Sequence, residues 1–321
     1  MKKHKHKIKK EYLIVAGALI FSVLAGALLS FIFSRKVERT VSDASYTPPS
    51  EDGTIIRDGV TYKRDGSIRA YLFLGVDDVG RSYENYGRGG RTDTILLLAK
   101  KGSDLRILEI SRDTMTEVDT YDTAGDYLST GVMQINMQYS FGNNPRRSAY
   151  LTKRTVSALL DGIEINGAVA LDMSGIAPIV DALGGIDVRM EEDCSYIDPS
   201  YVKDAVIHMN GGTAENFIRW RDRSVGANDA RMSRHTWFVR QMLSGIKGQD
   251  LTGLSEIADP YMNTDLTADE MKDLLECDLA ETVRLPGETR RTSVHDEFYV
   301  DEDGMRDILI RLFCKRTDRA S

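Results

Sequence analysis

The sequence predicts an α/β domain in three layers, an α-β-α arrangement around a mixed central sheet, preceded by one transmembrane helix. Three observations carry this expectation. From about residue 70 onward, short aliphatic runs alternate with segments of helical period. Glycine and Asx residues punctuate the joints between them. Near the N-terminus, residues 12–34 contain no charged side chain and are dominated by Leu, Ile, Val, Ala and Phe. A helix over that run measures roughly 34 Å at 1.5 Å per residue, enough for a hydrocarbon core of about 30 Å.

Charge orients this helix. Lys2, Lys3, Lys5, Lys7, Lys9 and Lys10 precede it, with only Arg35 and Lys36 close behind. The positive-inside rule then puts residues 1–11 in the cytoplasm and the rest outside. The run exceeds a usual signal-peptide core, and its small-residue stretch, Ala25-Gly26-Ala27, lies inside it. An uncleaved anchor is the expectation. The chain holds 42 basic and 49 acidic residues, and six lysines and Glu11 precede the anchor, so residues 35–321 carry 36 basic against 48 acidic. An acidic outer portion argues against nucleic acid as a partner. Cys194, Cys277 and Cys314 are too few and too scattered for a zinc site or a disulfide framework.

Residues 35–69 read as an extracytoplasmic linker, with Asp-Gly turns at 52–53, 58–59 and 65–66 that allow a small hairpin. Residues 70–318 read as one domain. Strands are expected over 71–76, 95–99 and 105–111. In the last of these Leu105, Ile107 and Glu109 share one face, and Arg106, Leu108 and Ile110 the other. Helices are expected over 133–141 and 147–160. A strand at 167–173 leads to a helix capped by Ser174 and stopped by Gly184-Gly185. A strand at 186–190 precedes helices at 213–223, 230–248 and 267–277, with Asp229 as an N-cap. Strands at 282–285 and 298–300 and a helix at 305–315 complete the pattern. Strands interleaved with helices make a sheet covered on both faces.

Chemistry-bearing residues gather at strand ends. Asp77 and Asp78 close the first strand, Arg91-Thr-Asp93-Thr opens the second, and Ser111-Arg112-Asp113-Thr114 closes the third. If these strands share a sheet, one edge collects Asp77, Asp93, Arg112 and Asp113, where α/β sheets bind ligands. A second set is richer in arginine: Arg219, Arg221, Arg223, Arg231 and Arg234. On a helix Arg231, Arg234, Phe238 and Gln241 align, beside an apolar stripe of Met232, Val239, Met242, Leu243 and Ile246. All five basic positions are Arg, whose planar fork grips phosphate oxygens bidentately. Arginine beside carboxylates points to a phosphate ligand with a hard divalent cation, Mg²⁺, on the carboxylates. Gly87-Arg-Gly-Gly90 lacks the Gly-Lys-Ser/Thr of a phosphate loop, no G-x-S-x-G elbow occurs, and His208, His235 and His295 lack zinc spacing.

At these residues the sequence resembles the LytR-CpsA-Psr family of cell-wall enzymes. The matching stretches are Leu-Gly-Val-Asp at 74–77, Arg-Thr-Asp-Thr at 91–94, Ile-Ser-Arg-Asp-Thr at 110–114 and Gln-Ile-Asn at 134–136. They continue with residues 179–188, Asn210-Gly211 ahead of Phe-Ile-Arg-Trp-Arg at 217–221, and Asp-Ala-Arg-Met-Ser-Arg at 229–234, in the family's order. The resemblance implies a phosphotransferase that moves a glycopolymer from a polyprenyl-pyrophosphate carrier to a peptidoglycan acceptor at the membrane, releasing polyprenyl phosphate. Teichoic acid, capsule and other wall polysaccharide all fit as cargo. By matching position it implies Asp77 and Asp93 as ligands of Mg²⁺ or Mn²⁺. It gives Arg91, Arg112, Arg219, Arg221, Arg231 and Arg234 pyrophosphate contacts, and places Asp113 to orient Arg112. Two other readings use the same residues: a hydrolase of lipid-linked pyrophosphate, and a non-enzymatic envelope regulator. With some 11 residues ahead of the span, there is no room for a folded cytoplasmic signalling domain. The chain departs from the family in a longer loop after Asp77, carrying Arg81, Tyr83, Tyr86 and Arg88. It also has Ser111 in place of Pro, His235-Thr236 in place of a glutamine pair, and the extra Arg223.

Overall fold

The computed structural model describes residues 54–77, 90–221, 227–247, 252–293 and 295–317. The expected tail, transmembrane helix and most of the linker lie outside them, as do Asp78, the loop residues Arg81, Tyr83, Tyr86 and Arg88, and Arg223. Among the described residues no helix is long and apolar enough to cross a membrane.

The Asp-Gly signals make the expected hairpin: β1 (Thr54–Arg57) pairs with β2 (Val60–Arg64). Asp58 and Gly59 at the turn have φ of 51° and 73°, the left-handed pair whose twist matches a two-residue hairpin. Strands β3 (Arg69–Asp77), β4 (Arg91–Lys101) and β5 (Asp104–Ile110) follow the three expected runs, β4 starting four residues sooner. A second hairpin, β6 (Met115–Tyr121) and β7 (Tyr127–Gln134), has no counterpart among the expected elements. Most of β7 is exposed, so it lacks the apolar alternation that marks a strand. The helix expected over 133–141 is a 3₁₀ helix, Ile135–Phe141.

Helix α1 (Pro145–Leu159) is capped by Asn144, and β8 (Gly167–Asp172) leads toward α2 (Ile176–Ala182). The cap on this entry is Asp172, not Ser174: the carboxylate accepts from Ser174 N and Oγ, both at 2.7 Å. Gly184 and Gly185, at φ of 76° and 95°, end the helix in the left-handed region as expected. The hairpin β9 (Ile186–Arg189) and β10 (Val206–Met209) precedes α3 (Gly211–Arg219), which stops before the expected end at 223. Helix α4 (Ala227–Ile246) starts before Asp229, which therefore sits inside the helix rather than at its cap. Then come α5 (Thr252–Ala258), β11 (Met262–Thr264), α6 (Ala268–Leu275) with its Thr267–Glu270 capping box, and β12 (Asp278–Arg284). The hairpin β13 (Gly287–Arg291) and β14 (Asp296–Val300), helix α7 (Glu302–Phe313) and β15 (Cys314–Arg316) finish the chain. Cys194, Cys277 and Cys314 are free thiols.

The central sheet is mixed, in the order β11-β8-β3-β4-β5-β12, with β3–β8 and β5–β12 parallel and the other pairs antiparallel. One face carries Leu72, Leu74, Ile95, Leu97, Leu108 and Ile110 against Val156 of α1 and Leu309 of α7. The other carries Tyr71, Leu96, Leu98, Leu105 and Ile107 against Val239 of α4 and Leu274 of α6. This is the expected three-layer mixed α/β arrangement, and β5 divides its faces as its alternation dictates. Phe217, Trp237, Phe238, Val188 and Met209 form a further core where α3 and β9–β10 meet α4. The linker hairpin is part of the folded unit Pro48–Ser321, which therefore reaches beyond the expected start at residue 70. Here β15 pairs with β2, Ile55 is buried, and Arg57 bonds Asp303 and Asp307 of α7.

Candidate active site

Asp77 ends β3, and its register partner Arg91 opens β4. Between them lies a β-bulge. Gly75 pairs with Thr94, but Val76 pairs with Thr92, so Asp93 is the extra residue. Leu98, Leu96 and Thr94 already face α4. The bulge resets the alternation, so Asp93 faces α4 as well, and Arg91 pairs with Asp77 on that side. Asp93 and Thr94 then reach two residues of α4 one turn apart, Arg231 and His235.

Four guanidinium groups converge on the two carboxylates. Asp93, only 4% exposed, meets Arg231 Nη2 at 2.5 Å, Arg221 Nη2 at 3.5 Å and Arg112 Nη1 in closer contact. Asp77 meets Arg221 Nη2 at 3.1 Å and Arg219 Nη1 at 3.4 Å, while Glu215 accepts from Arg219 Nε at 2.8 Å. With Glu215 and Asp113 the carboxylates number four, and Arg91 beside Arg112 brings the guanidinium groups to five, so the charges do not fully cancel. Burial first, and then the guanidinium of Arg231, lowers the pKa of Arg112 to about 10; burial, and then Arg221, lowers that of Arg231 to about 10. Both stay cationic at neutral pH, held together against their own repulsion. Such a cluster is built to receive an anion.

The turn carrying Arg112 and Asp113 is braced. Ser111 O accepts from Thr114 N and Oγ1 at 3.1 and 2.7 Å, Gln134 Nε2 donates to Asp113 Oδ1 at 2.8 Å, and Asn136 N donates to Arg112 O at 3.2 Å. Asp113 Oδ1 lies 3.5 Å from Arg112 Nε, a geometry that aims the guanidinium. Asp77, Asp93, Arg112, Asp113, Arg219, Arg221 and Arg231 are thus brought together. Arg91 adds positive charge beside Arg112.

Arg234 is placed differently. It is buried, donating from Nη1 to Tyr196 OH and from Nη2 to Trp220 O, both at 2.8 Å. It thereby holds the chain between Arg219 and Arg221 from behind. Gln241, on the same expected helix face, instead binds the backbone of Arg189, accepting from N at 2.6 Å and donating to O at 3.0 Å. The roles of Tyr196 and the Trp220 carbonyl have no signal in the sequence.

His235 and Thr236 fasten α4 to the sheet. His235 is fully enclosed, and burial, then the charge of Arg231, lowers its pKa to about 3. The ring is neutral, so Nε2–H donates to Ile218 O at 2.9 Å and Nδ1 accepts from Thr94 Oγ1 at 2.6 Å. Thr236 Oγ1 donates to buried Glu109 at 2.5 Å, and Arg284 Nε donates to the same carboxylate at 2.8 Å. His235 thus fixes the strand bearing Asp93 to the end of α3, beside Arg219 and ahead of Arg221, while Thr236 ties α4 to β5.

Beside the charged cluster lies a small, partly open cavity of about 30 Å³, lined among others by Phe73, Gly75, Met173, Ile176, Ile218 and Met242. Its wall is almost wholly apolar. Among the described residues no group of three or more His, Cys, Asp or Glu is arranged for a metal. Asp77 and Asp93 both reach one nitrogen of Arg221, so they offer two hard oxygen donors around one point. That set fits Mg²⁺ in its usual manner, with a carboxylate pair completed by substrate phosphates.

The family model LytR_cpsA_psr matches residues 35–311. A polyisoprenyl-teichoic acid–peptidoglycan teichoic acid transferase, TagU of Bacillus cereus, is 25% identical over 315 residues, spanning 93% of this chain and 95% of its own. The crystal structure of B. subtilis TagU superposes with a TM-score of 0.58 at 21% identity, covering 77% of this chain and 95% of that one. TagT bound to LI-WTA gives a TM-score of 0.58 at 17% identity, covering 77% and 90%. The two structures share its fold.

Proposed function

The chain belongs to the LytR_cpsA_psr family, and on that premise we propose that it is an envelope transferase carrying a glycopolymer from a polyprenyl-pyrophosphate donor to peptidoglycan. The observation that carries this reading is the junction of two environments. A cluster with more guanidinium than carboxylate opens beside an apolar cavity, as a ligand with a pyrophosphate head and a hydrocarbon tail requires. The similarity to proteins named as teichoic acid transferases supports teichoic acid as the cargo class.

In this reading Arg219 and Arg221 grip the pyrophosphate from the α3 end, and Arg112 and Arg231 from the sheet side. Asp77 and Asp93 hold Mg²⁺ or Mn²⁺, which when bound neutralises charge on the phosphate oxygens. An acceptor sugar hydroxyl forms the new bond to the phosphorus that bears the glycan. The bond from that phosphorus to the bridging oxygen breaks, polyprenyl phosphate departs with the electron pair, and the hydroxyl proton is released. The arginines, fixed from behind by Arg234 and His235, meet the charge growing on the bridging oxygen without reorganising. Cleavage of the carrier's own pyrophosphate supplies the driving force, which suits a site outside the cytoplasm. Residues 12–34 anchor it there, within reach of a membrane-borne donor.

The test uses full-length protein in detergent, a labelled lipid-linked donor, and peptidoglycan fragments. Wild type transfers label to the fragments, and Arg112→Ala and Arg221→Ala lower that rate by about 10²-fold or more. Release of polyprenyl phosphate at one rate with and without fragments refutes transfer and makes the protein a hydrolase.

A further inference from the structure

We infer that the exposed face of the β6–β7 hairpin is the acceptor surface, on which a peptidoglycan glycan strand lies with one hydroxyl directed at the Arg112–Asp113 turn. The inference rests on the proposed transferase reading and adds the place and chemistry of the second substrate.

Both ends of the hairpin enter that turn. Strand β6 begins one residue after Thr114, and β7 ends at Gln134, whose amide donates to Asp113 Oδ1 at 2.8 Å and to Asp296 O at 2.8 Å. Side chains alternate along a strand, and opposed residues share a face. As far as the β-bulge at Thr120–Tyr121, the face that carries Gln134 therefore also carries Val132 and Thr130 from β7, and Met115, Glu117 and Asp119 opposite them, with Leu128 following as the extra residue of the bulge. Val132 is 65% exposed and Leu128 52%, with Glu117 and Thr130 also exposed.

The hairpin is preformed. Its other face packs Val118 and Tyr121 on Phe141 and Leu151. Gln138 accepts from Asp119 N at 3.0 Å and donates to Asp119 O at 2.9 Å, and Arg147 reaches the turn at Gly125 O, 2.6 Å away. Exposed apolar residues on a rigid, braced hairpin ask for an occupant.

Direction of attack identifies it. In phosphoryl transfer the entering and leaving oxygens lie roughly in line, on opposite sides of phosphorus. The apolar cavity that suits the leaving prenyl group opens between the sheet and α4, at Phe73, Ile218 and Met242. The hairpin packs on the 3₁₀ helix and α1, which cover the opposite face of the sheet. A hydroxyl arriving along β6–β7 therefore comes from the side opposite the leaving group.

Composition argues for sugar rather than membrane. Neither strand contains Lys or Arg, and the face carries Glu117 and Asp119, which anionic lipid would repel. Val132 and Leu128 offer apolar contact to the C–H faces of sugar rings. Glu117 and Thr130, the latter donating to Asp119 at 2.6 Å, offer partners to the hydroxyls.

The experiment compares full-length wild type with the Leu128→Ser/Val132→Ser double variant, using a lipid-linked donor and undecorated peptidoglycan glycan oligomers. The expected result is an acceptor KM raised about tenfold, a change of one decade in affinity, with donor KM and acceptor-free donor turnover unchanged. An unchanged acceptor KM overturns the inference. A raised KM for bilayer-embedded donor with acceptor KM constant also overturns it and gives the face to the membrane. Calorimetric titration of the oligomers alone separates the two readings. Binding that wild type shows and the variant loses, in a protein that transfers nothing, keeps the acceptor surface and refutes the transferase. Transfer with equal oligomer binding by both proteins refutes only the acceptor surface.

Discussion

Replacing Asp93 with Asn tests the charge logic of the site, because shape is kept and one negative charge is removed. Asp93 is 4% exposed, and the side chains of its partners Arg231 and Arg112 are 8% and 15% exposed. The substitution leaves enclosed Arg231 against a neutral acceptor and Arg112 with Asp113 as its remaining carboxylate. Removing one partner of a buried ion pair costs about 3–5 kcal/mol. The low end applies here because the Asn oxygen still accepts a hydrogen bond. At roughly 2–4 °C per kcal/mol for a unit of this size, the melting temperature drops by about 6–12 °C. Asp77→Asn is the control. Asp77 is 18% exposed and its partners Arg219 and Arg221 are 29% and 61% exposed, so the loss is about 0–1 kcal/mol. Thermal unfolding of the full-length protein in detergent measures both. Inorganic pyrophosphate without metal should restore much of the Asp93→Asn loss, because it binds only the folded site and replaces the missing charge. Equal melting temperatures for the two variants, or no response to pyrophosphate, would refute the account of an over-cationic cluster held by Asp93.

Three further outcomes follow. His235 is neutral when folded, with its pKa lowered to about 3 by burial, so the unfolded chain binds the extra proton below about pH 6.5. Stability should therefore fall by about 1.4 kcal/mol per unit as pH drops from about 6.5 toward 3, and His235→Gln should remove that part of the slope in urea titrations at pH 7 and 5. A chain beginning at residue 48 should melt like the folded unit. One beginning at residue 69 loses the β2–β15 pairing and the burial of Ile55, worth about 1.5–3 kcal/mol for the side chain alone, and should melt measurably lower. Met242→Trp fills part of the apolar cavity, so it should raise the KM of long-chain donors several-fold while pyrophosphate affinity, read by calorimetry, stays within about twofold.

Local patterns made much of this molecule legible. The parity of β5, the glycine stop of α2 and the hairpin at Asp58-Gly59 each depend on neighbouring residues, and each formed as expected. The convergence of Asp77, Asp93, Arg112 and Asp113 was legible because strand ends in one sheet share an edge. What could not be read depends on tertiary partners. Arg234 and Gln241 lie on the helix face expected to line the site, yet Trp220 O and the backbone of Arg189 claim them. Strand β7 is exposed on both faces and has no apolar rhythm to betray it. Helix α3 ends before its expected stop, and the carbonyl of its C-cap Trp220 accepts from Arg234, a partner 14 residues on that no local pattern announces.

The bulge at Asp93 makes β4 a strand of two parities, and this bears on transplantation and on deletions. Arg91 and Asp93 are odd-numbered and Thr94, Leu96 and Leu98 even-numbered, yet all sit on the α4 side. Copying the Arg-Thr-Asp-Thr string into an unbulged strand would therefore send its aspartate to the wrong side of the sheet. Deleting one residue at 92 or 93 would keep the aliphatic half of β4 in place while scrambling only its chemical half. Such a protein should fold and transfer nothing, and it should melt lower by at least the Asp93→Asn loss because Arg231 is left without its carboxylate: the extra residue serves as a hinge in the numbering, separating what the strand does for the core from what it does for the substrate.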